Sequence, residues 1–256
     1  MKIVVAIKQV PSRDSRLKVN SSGTWIEDAD LTWEINEPDA YALEAGLQLR
    51  EKLSGEVVVL CAGPETAAQT IREALAKGAD RAIQIETDNT AGTDPLALAR
   101  MMAKALESEK PDLILTGLQS DDLGYGQTGV ILAEVMGLPH ATIVMSIEPA
   151  GNGILVKREL EDGWFQRVEM PLPALLTIQS GATKLRYATL MGIKRAKTRE
   201  IRKVAAASLA GADAPAIHVD RIYLPEKTSH TQIFDGPPQE AARKLIEKLR
   251  FEARVL

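Results

Sequence analysis

The run PDLILTGLQSDDLGYGQTG (111–129) decides how this chain is read. It opens on a short apolar stretch, LILTG, with the composition of a buried strand. It closes on Gly124-Tyr125-Gly126-Gln127-Thr128-Gly129, which fits G-x-G-x-x-G, and an acidic residue, Glu148, follows 19 positions later. That is the outline of a dinucleotide fingerprint. The fingerprint needs its first glycine directly after a strand, in the first βα turn of the fold. Here Gln119-Ser120-Asp121-Asp122-Leu123 intervene after the fourth strand, and two aspartates would repel a pyrophosphate. Glu148 lies beyond a whole helix. These departures argue against a nicotinamide dinucleotide, and the absence of G-x-x-x-x-G-K-[ST] removes the P-loop. A glycine-rich loop feeding a helix at Gln127 to Gly129 still offers backbone N–H groups and a positive helix end to one phosphate. Thr128 adds a hydroxyl, and the upstream side chains suit a ribose or base. From the loop alone, a mononucleotide site and a plain helix-capping loop stay equally open.

Outward from this run, strands and helices alternate. KIVVAI (2–7) and EVVVLCAG (56–63) are apolar, β-branched-rich runs that read as buried parallel strands. EPDAYALEAGLQLREKL (37–53) is an amphipathic helix with Pro38 at its start. PETAAQTIREALAKGADRAIQI (64–85) gives a helix, Gly78 as its stop, and a third strand. TDPLALARMMAKALESEK (93–110) is a helix entered at Thr93 or Asp94, and 111–117 is a fourth strand. After the loop come a helix ending near Gly137 and another strand. The pattern predicts an α/β fold, a parallel sheet with helices on both faces. In such sheets ligands sit at the carboxyl ends of the strands. Ala6 to Pro11, Cys61 to Pro64 and Thr116 onward should therefore line one crevice. Two antiparallel excursions are expected: one over 15–33 about a Ser-Ser-Gly turn, and a hairpin over 153–178 with Asp162-Gly163 as its turn. AAASLAGADAPAIHV (205–219) reads as a linker, and a basic amphipathic helix over roughly 238–250 closes the chain.

Composition bounds the function. The chain has 256 residues and a formal net charge of −4, which argues against nucleic acid as the main partner. No apolar run is long enough to span a membrane, and the N-terminus enters a strand rather than a signal-peptide core. Cys61 is the only cysteine, so an internal disulfide is impossible. His140, His218 and His230 are too scattered to indicate a metal site. No catalytic residue and no metal ligand is assigned, and the expected compartment is the cytoplasm or an organelle interior.

One more stretch stands out. From Lys184 to Lys203 there are eight basic residues and one acidic. Tyr187, Leu190, Met191 and Ile193 are embedded among Arg186, Lys194, Arg195 and Lys197. A solvated positive face is the ordinary reading of a charge run. Apolar residues within it suggest docking instead, with leucine as anchor and charge steering the encounter.

At this stretch a resemblance emerges. KRELEDG, followed by LPALLTIQSGATKLRYATLMGIKRAK, resembles the β-subunit signature of electron transfer flavoproteins, loosely V-x-R-E-x-x-G, then P-A-x-x-T, then R-Y-A-[ST]-L. VAIKQVP, NEPDAYALEAGLQL, CAGPETAAQTIREALAKGADRAI and PDLILTGLQSDDLGYGQTG also resemble family blocks, in the family's order. Together they cover nearly the whole chain.

The resemblance implies an adenine nucleotide alpha hydrolase-like α/β domain over 1–200, with a recognition loop at about 178–200, and a C-terminal arm over 201–256 that packs on a partner α subunit. It implies redox-active FAD held mainly by that subunit, and a structural AMP in this chain. By matching positions the AMP would touch Ala6, Asn36, Glu37, Pro38, Asp39 and Ala62, and the loop residues Gly117, Leu118, Gln119, Ser120, Asp121, Asp122, Leu123, Gly124, Tyr125, Gly126, Gln127 and Thr128. The docking residues would be Tyr187, Leu190, Met191, Ile193, Lys194 and Arg195, with dehydrogenases as electron donors and a quinone-linked oxidoreductase or another acceptor downstream. Such a chain carries electrons and is not itself an enzyme. The sequence departs from the family where the common L-P-N-I reads Leu190-Met191-Gly192-Ile193. Relatives with a second FAD in place of AMP tend to read D-G-D-T-A-Q-V-G in the loop. The ending Gln127-Thr128-Gly129 and the bulk of Tyr125 favour AMP. The alternatives are that bifurcating type and a stand-alone nucleotide-binding regulator.

Overall fold

The computed structural model describes residues 1–87, 94–209, 217–226 and 231–256. Its chain divides into two compact units, Met1–Ile222 and Tyr223–Leu256. Short β-branched runs form the strands β1 (Lys2–Ala6), β4 (Glu56–Gly63), β5 (Arg81–Glu86) and β6 (Leu113–Gly117) of the first unit. Between them, β2 (Gln9–Pro11) and β3 (Trp33–Ile35) pair antiparallel as a separate ribbon. Beyond β6 come β7 (His140–Ala150), β8 (Gly153–Glu159), β9 (Phe165–Met170), β10 (Ala174–Ile178) and β11 (Ile201–Ala205). The nine-stranded sheet runs β11-β5-β4-β1-β6-β10-β7-β8-β9. It is parallel from β11 to β7, and β8 and β9 extend it antiparallel.

Period-two alternation sends neighbouring residues to opposite faces. Ile3 and Val5 pack under α1 (Glu37–Leu53) and α2 (Ala67–Lys77), beside Leu43, Leu47, Ile71 and Leu75. Val4, Leu60 and Ile83 face α3 (Pro95–Leu106) and α4 (Thr128–Val135), beside Met102, Leu106 and Leu132. Both faces are thus covered, as the alternating pattern requires. Asp94 caps α3 by accepting from Leu96 N at 2.8 Å, while Thr93 lies outside the described residues.

Four assignments change. Residues 174–178 are not the second arm of the hairpin. They form β10, inserted parallel between β6 and β7 and buried at every residue, while β9 closes the hairpin with β8. The turn is where it was expected, with Asp162 at φ 56° and Gly163 at φ 76°. The basic stretch contains a short helix, α5 (Leu190–Ala196). Residues 201–205 form the edge strand β11, so pairing within the sheet continues past residue 200 and the first unit ends at Ile222. The stretch read as a linker begins inside that unit, since Leu209 is buried in the core. Residues 210–216 lie outside the described residues. The excursion over 15–33 holds one antiparallel bridge, Val19 to Ile26. The second unit holds α6 (Pro238–Phe251).

Ion pairs hold the amino ends of the strands. Glu109, nearly buried just beyond α3, accepts from Arg81 of β5 at 2.6 Å, Arg202 of β11 at 3.0 Å and Lys2 of β1 at 3.4 Å. At the opposite end a single carboxylate does the joining. Asp39, in the first turn of α1, accepts from Lys8 N at 2.7 Å and from Gly117 N at 2.9 Å. It ties the start of α1 to the ends of β1 and β6. Gly117 has no room for a side chain, because a Cβ there would stand 2.3 Å from Asp39 Oδ1 and 2.7 Å from Pro38 Cβ.

Burial pushes the Asp39 carboxyl from an ordinary 3.8 up to about 7, against the pull of the Lys8, Asn36 and Gly117 hydrogen bonds. A raised acid means that the folded chain holds a proton the unfolded chain has lost. The contribution of Asp39 to stability therefore declines as pH rises from about 4 to about 7. Asp39→Asn replaces one acceptor with an NH2 group facing an N–H, and should cost about 1–3 kcal/mol in urea unfolding near pH 5. The gap between wild type and variant should narrow near pH 8. A gap that widens with pH would contradict the assignment.

Candidate functional site

A pocket, partly open to solvent, lies at the carboxyl ends of β1, β4 and β6. Its floor is Ala6, Ile7, Ala62, Thr116 and Gly117. One wall is the apolar face of α3, from Pro95, Leu98 and Met102. The other is the loop 118–127, which leads into α4.

The loop is shaped from within and held from outside. Gly124 and Gly126 sit at φ 64° and 63°, where a side chain would strain the backbone. Gly124 N donates to Ser120 O at 2.9 Å. The Asn36 side chain, 1% exposed, donates from Nδ2 to Gln119 O at 2.9 Å and accepts from Asp121 N at 2.8 Å. One buried amide thus matches one donor and one acceptor of the loop, so either loss leaves a buried polar group unpaired. Lys8 Nζ pairs with Asp122 at 2.6 Å, and Arg13 pairs with Glu37 and, at 3.4 Å, with Asp121.

Gly129 lets α4 lie against the sheet, since a Cβ there would be 2.6 Å from Thr116 Oγ1 and 2.8 Å from Thr177 Cγ2. No side chain caps the first turn of α4. Its leading N–H groups are donors at the pocket wall formed by Gln127, Thr128 and Gly129, with the positive end of the helix behind them. The arrangement suits an anion on the amides and a flat apolar group against α3. Burial pushes the Cys61 thiol up to about 12, which makes it a poor nucleophile.

The pocket gathers most of the residues that the sequence grouped: Ala6, Asn36, Asp39, Ala62, Gly117 to Ser120, Leu123, and Tyr125 to Thr128. Glu37, Pro38, Asp121, Asp122 and Gly124 are not in its lining. Glu37, Asp121 and Asp122 serve the outer ion pairs, Pro38 packs against Gly117, and Gly124 shapes the loop. Ile7, Lys8 and Thr116 fall within the strand ends grouped as one crevice, and Gly129 within the helix start named for a phosphate, but sequence reading missed Pro95, Leu98 and Met102. The spacing of Pro95, Leu98 and Met102 at i, i+3 and i+7 was the available signal for the α3 wall.

The residues expected to dock a partner lie elsewhere on the same unit. Tyr187 is 92% and Leu190 82% exposed, and Met191, Ile193, Lys194 and Arg195 are also exposed. They sit on α5 or just before it. Among the described residues no helix is long and apolar enough to cross a membrane, and no group of His, Cys, Asp and Glu could hold a metal ion.

The family model of the electron transfer flavoprotein domain matches residues 24–209. The chain is 36% identical to the electron transfer flavoprotein subunit beta of Methylophilus methylotrophus, over 96% of this chain and 97% of the relative. It is 35% identical to that of Bradyrhizobium diazoefficiens over the whole of both chains. It is also 34% identical to the acryloyl-CoA reductase electron transfer subunit gamma of Anaerotignum propionicum, over 96% of this chain and 92% of the relative. A family match across most of the α/β unit, with relatives alike from end to end, means that this chain belongs to the electron transfer flavoprotein family as a beta subunit.

Proposed function

We propose that this chain is the nucleotide-holding and donor-docking half of a heterodimer. Electrons from a dehydrogenase enter FAD held mainly by the α subunit and leave to a quinone-linked oxidoreductase or another acceptor. The flavin supplies the redox chemistry, and this chain supplies binding and a docking surface. The pocket takes AMP in a structural role. The observation that carries this reading is the uncapped amino end of α4 facing an apolar α3 wall across the pocket. The phosphate goes to the amides of Gln127 to Gly129, and the adenine goes against Leu98 and Met102. Among the described lining residues Lys8 is the one cation, and Asp122 already neutralises it. One phosphate therefore suits the pocket better than a pyrophosphate, and Tyr125 occupies space that a dinucleotide's extension would need. Leu190 anchors the donor dehydrogenase, with Tyr187, Met191 and Ile193 around it and Lys194 and Arg195 steering. The C-terminal arm packs on the α subunit, and the heterodimer works in the cytoplasm.

Two substitutions test the two surfaces separately. Asn36→Ala unpins the loop and should lower the affinity for AMP about tenfold or more, since one lost buried hydrogen-bond set is worth 1–3 kcal/mol. The readout is the AMP retained by the purified heterodimer, and unchanged retention counts against this site. Leu190→Ala should slow electron transfer from the dehydrogenase while flavin and AMP content stay at wild-type levels. Wild-type transfer in that variant would remove Leu190 as the anchor.

A further inference from the structure

We propose that Gly192 is a positioning residue that fixes the seat of α5 and thereby the place from which Leu190 meets its partner. The inference rests on the docking reading above. A Cβ on Gly192 would stand 2.2 Å from the carbonyl oxygen of Ala76, in the last turn of α2. That obstacle is backbone within a packed helix and cannot swing aside as a side chain would. Helix α5 therefore lies closer to α2 than any residue with a side chain at 192 allows. The same glycine joins the helix start, because Thr189 Oγ1 accepts from Gly192 N at 3.0 Å.

Both flanks of α5 are clamped, so the seat is defined. Upstream, Arg186 reaches α1, pairing with buried Glu44 at 2.8 Å and with Glu51 at 2.6 Å. Downstream, Arg72 of α2 donates to the carbonyls of Ala196 and, at 2.7 Å, Arg199. Between these clamps the apolar residues face outward and only Ala196 of α5 is buried. The exposed leucine is thus carried on a short helix fixed at both flanks, and ordering it costs little when a partner binds. Any side chain at 192 pushes α5 away from α2, and Leu190, two residues upstream on the same helix, moves with it.

The test uses the intact heterodimer and a donor dehydrogenase purified by its ability to reduce the wild-type heterodimer. Gly192→Ala should raise the KM for the heterodimer about tenfold with little change in kcat, as expected of lost binding at an anchor. Flavin content should be unchanged, and amide exchange over 190–196 should speed up. Arg72→Met removes the downstream clamp without touching the exposed face, and should raise both KM and exchange in the same way. An unchanged KM in Gly192→Ala, beside a raised KM in Leu190→Ala, would overturn the role of Gly192 and keep the docking reading. Faster exchange in Arg72→Met at wild-type KM would show that the seat does not matter. An unchanged KM in Leu190→Ala as well would sink both claims.

Discussion

The carboxylate of Asp39, set between the N–H groups of Lys8 and Gly117, is the constraint on which the upper half of this molecule depends. It brings the first turn of α1 onto the ends of two neighbouring strands, and it can do so only because residue 117 has no side chain. Once α1 starts there, Asn36 just before it is placed to read the backbone of the glycine loop on both sides. The loop in turn fixes where α4 begins, and Gly129 lets that beginning rest on Thr116 and Thr177. The pocket follows from one buried acid, one buried amide and two glycines. A buried carboxyl is expensive to keep, and its raised proton affinity is the sign of that expense. Well-aligned backbone donors make it tolerable.

The other end of the sheet solves a different problem. Glu109 gathers cations from β1, β5 and β11 and so ties the middle of the sheet to its edge. Further up that side, Arg199 donates to the backbone of Asp80 at 2.6 Å and leads the chain from α5 into β11. Helix α5 is therefore an insertion between two sheet-bound points. It is neither a free tail nor part of the unit that begins at Tyr223. A site built between fixed elements loses less entropy on binding than one built on a loose loop.

Much of this was legible in the residues. Buried parallel strands announce themselves as short β-branched runs, and Pro38, Gly78 and Asp162-Gly163 mark ends and turns by their backbone preferences. The loop stood out because its glycines and aspartates fit no strand or helix, although by itself it left a mononucleotide site and a plain helix-capping loop equally open. What escaped notice has physical reasons. ALLTI in β10 follows an alternating hairpin, and apolarity alone does not say whether a strand pairs with its predecessor or crosses to the sheet centre. IRKVA in β11 is an edge strand that carries two charges, so it lacks the apolar signature of its neighbours. Helix α5 is short and turns its apolar residues to solvent, which hides the usual periodicity. The pairing of Lys8 with Asp122 was not legible, because nothing local shows that its charge partner lies far along the chain.

The central claim is that this clamped loop encloses a single mononucleotide that is separate from the working flavin. The most direct measurement is the identity and stoichiometry of the nucleotides released from the wild-type heterodimer after co-expression and denaturation. The account predicts one FAD and one AMP per heterodimer. Two FAD and no AMP would contradict it, and would make the pocket described here a second flavin site.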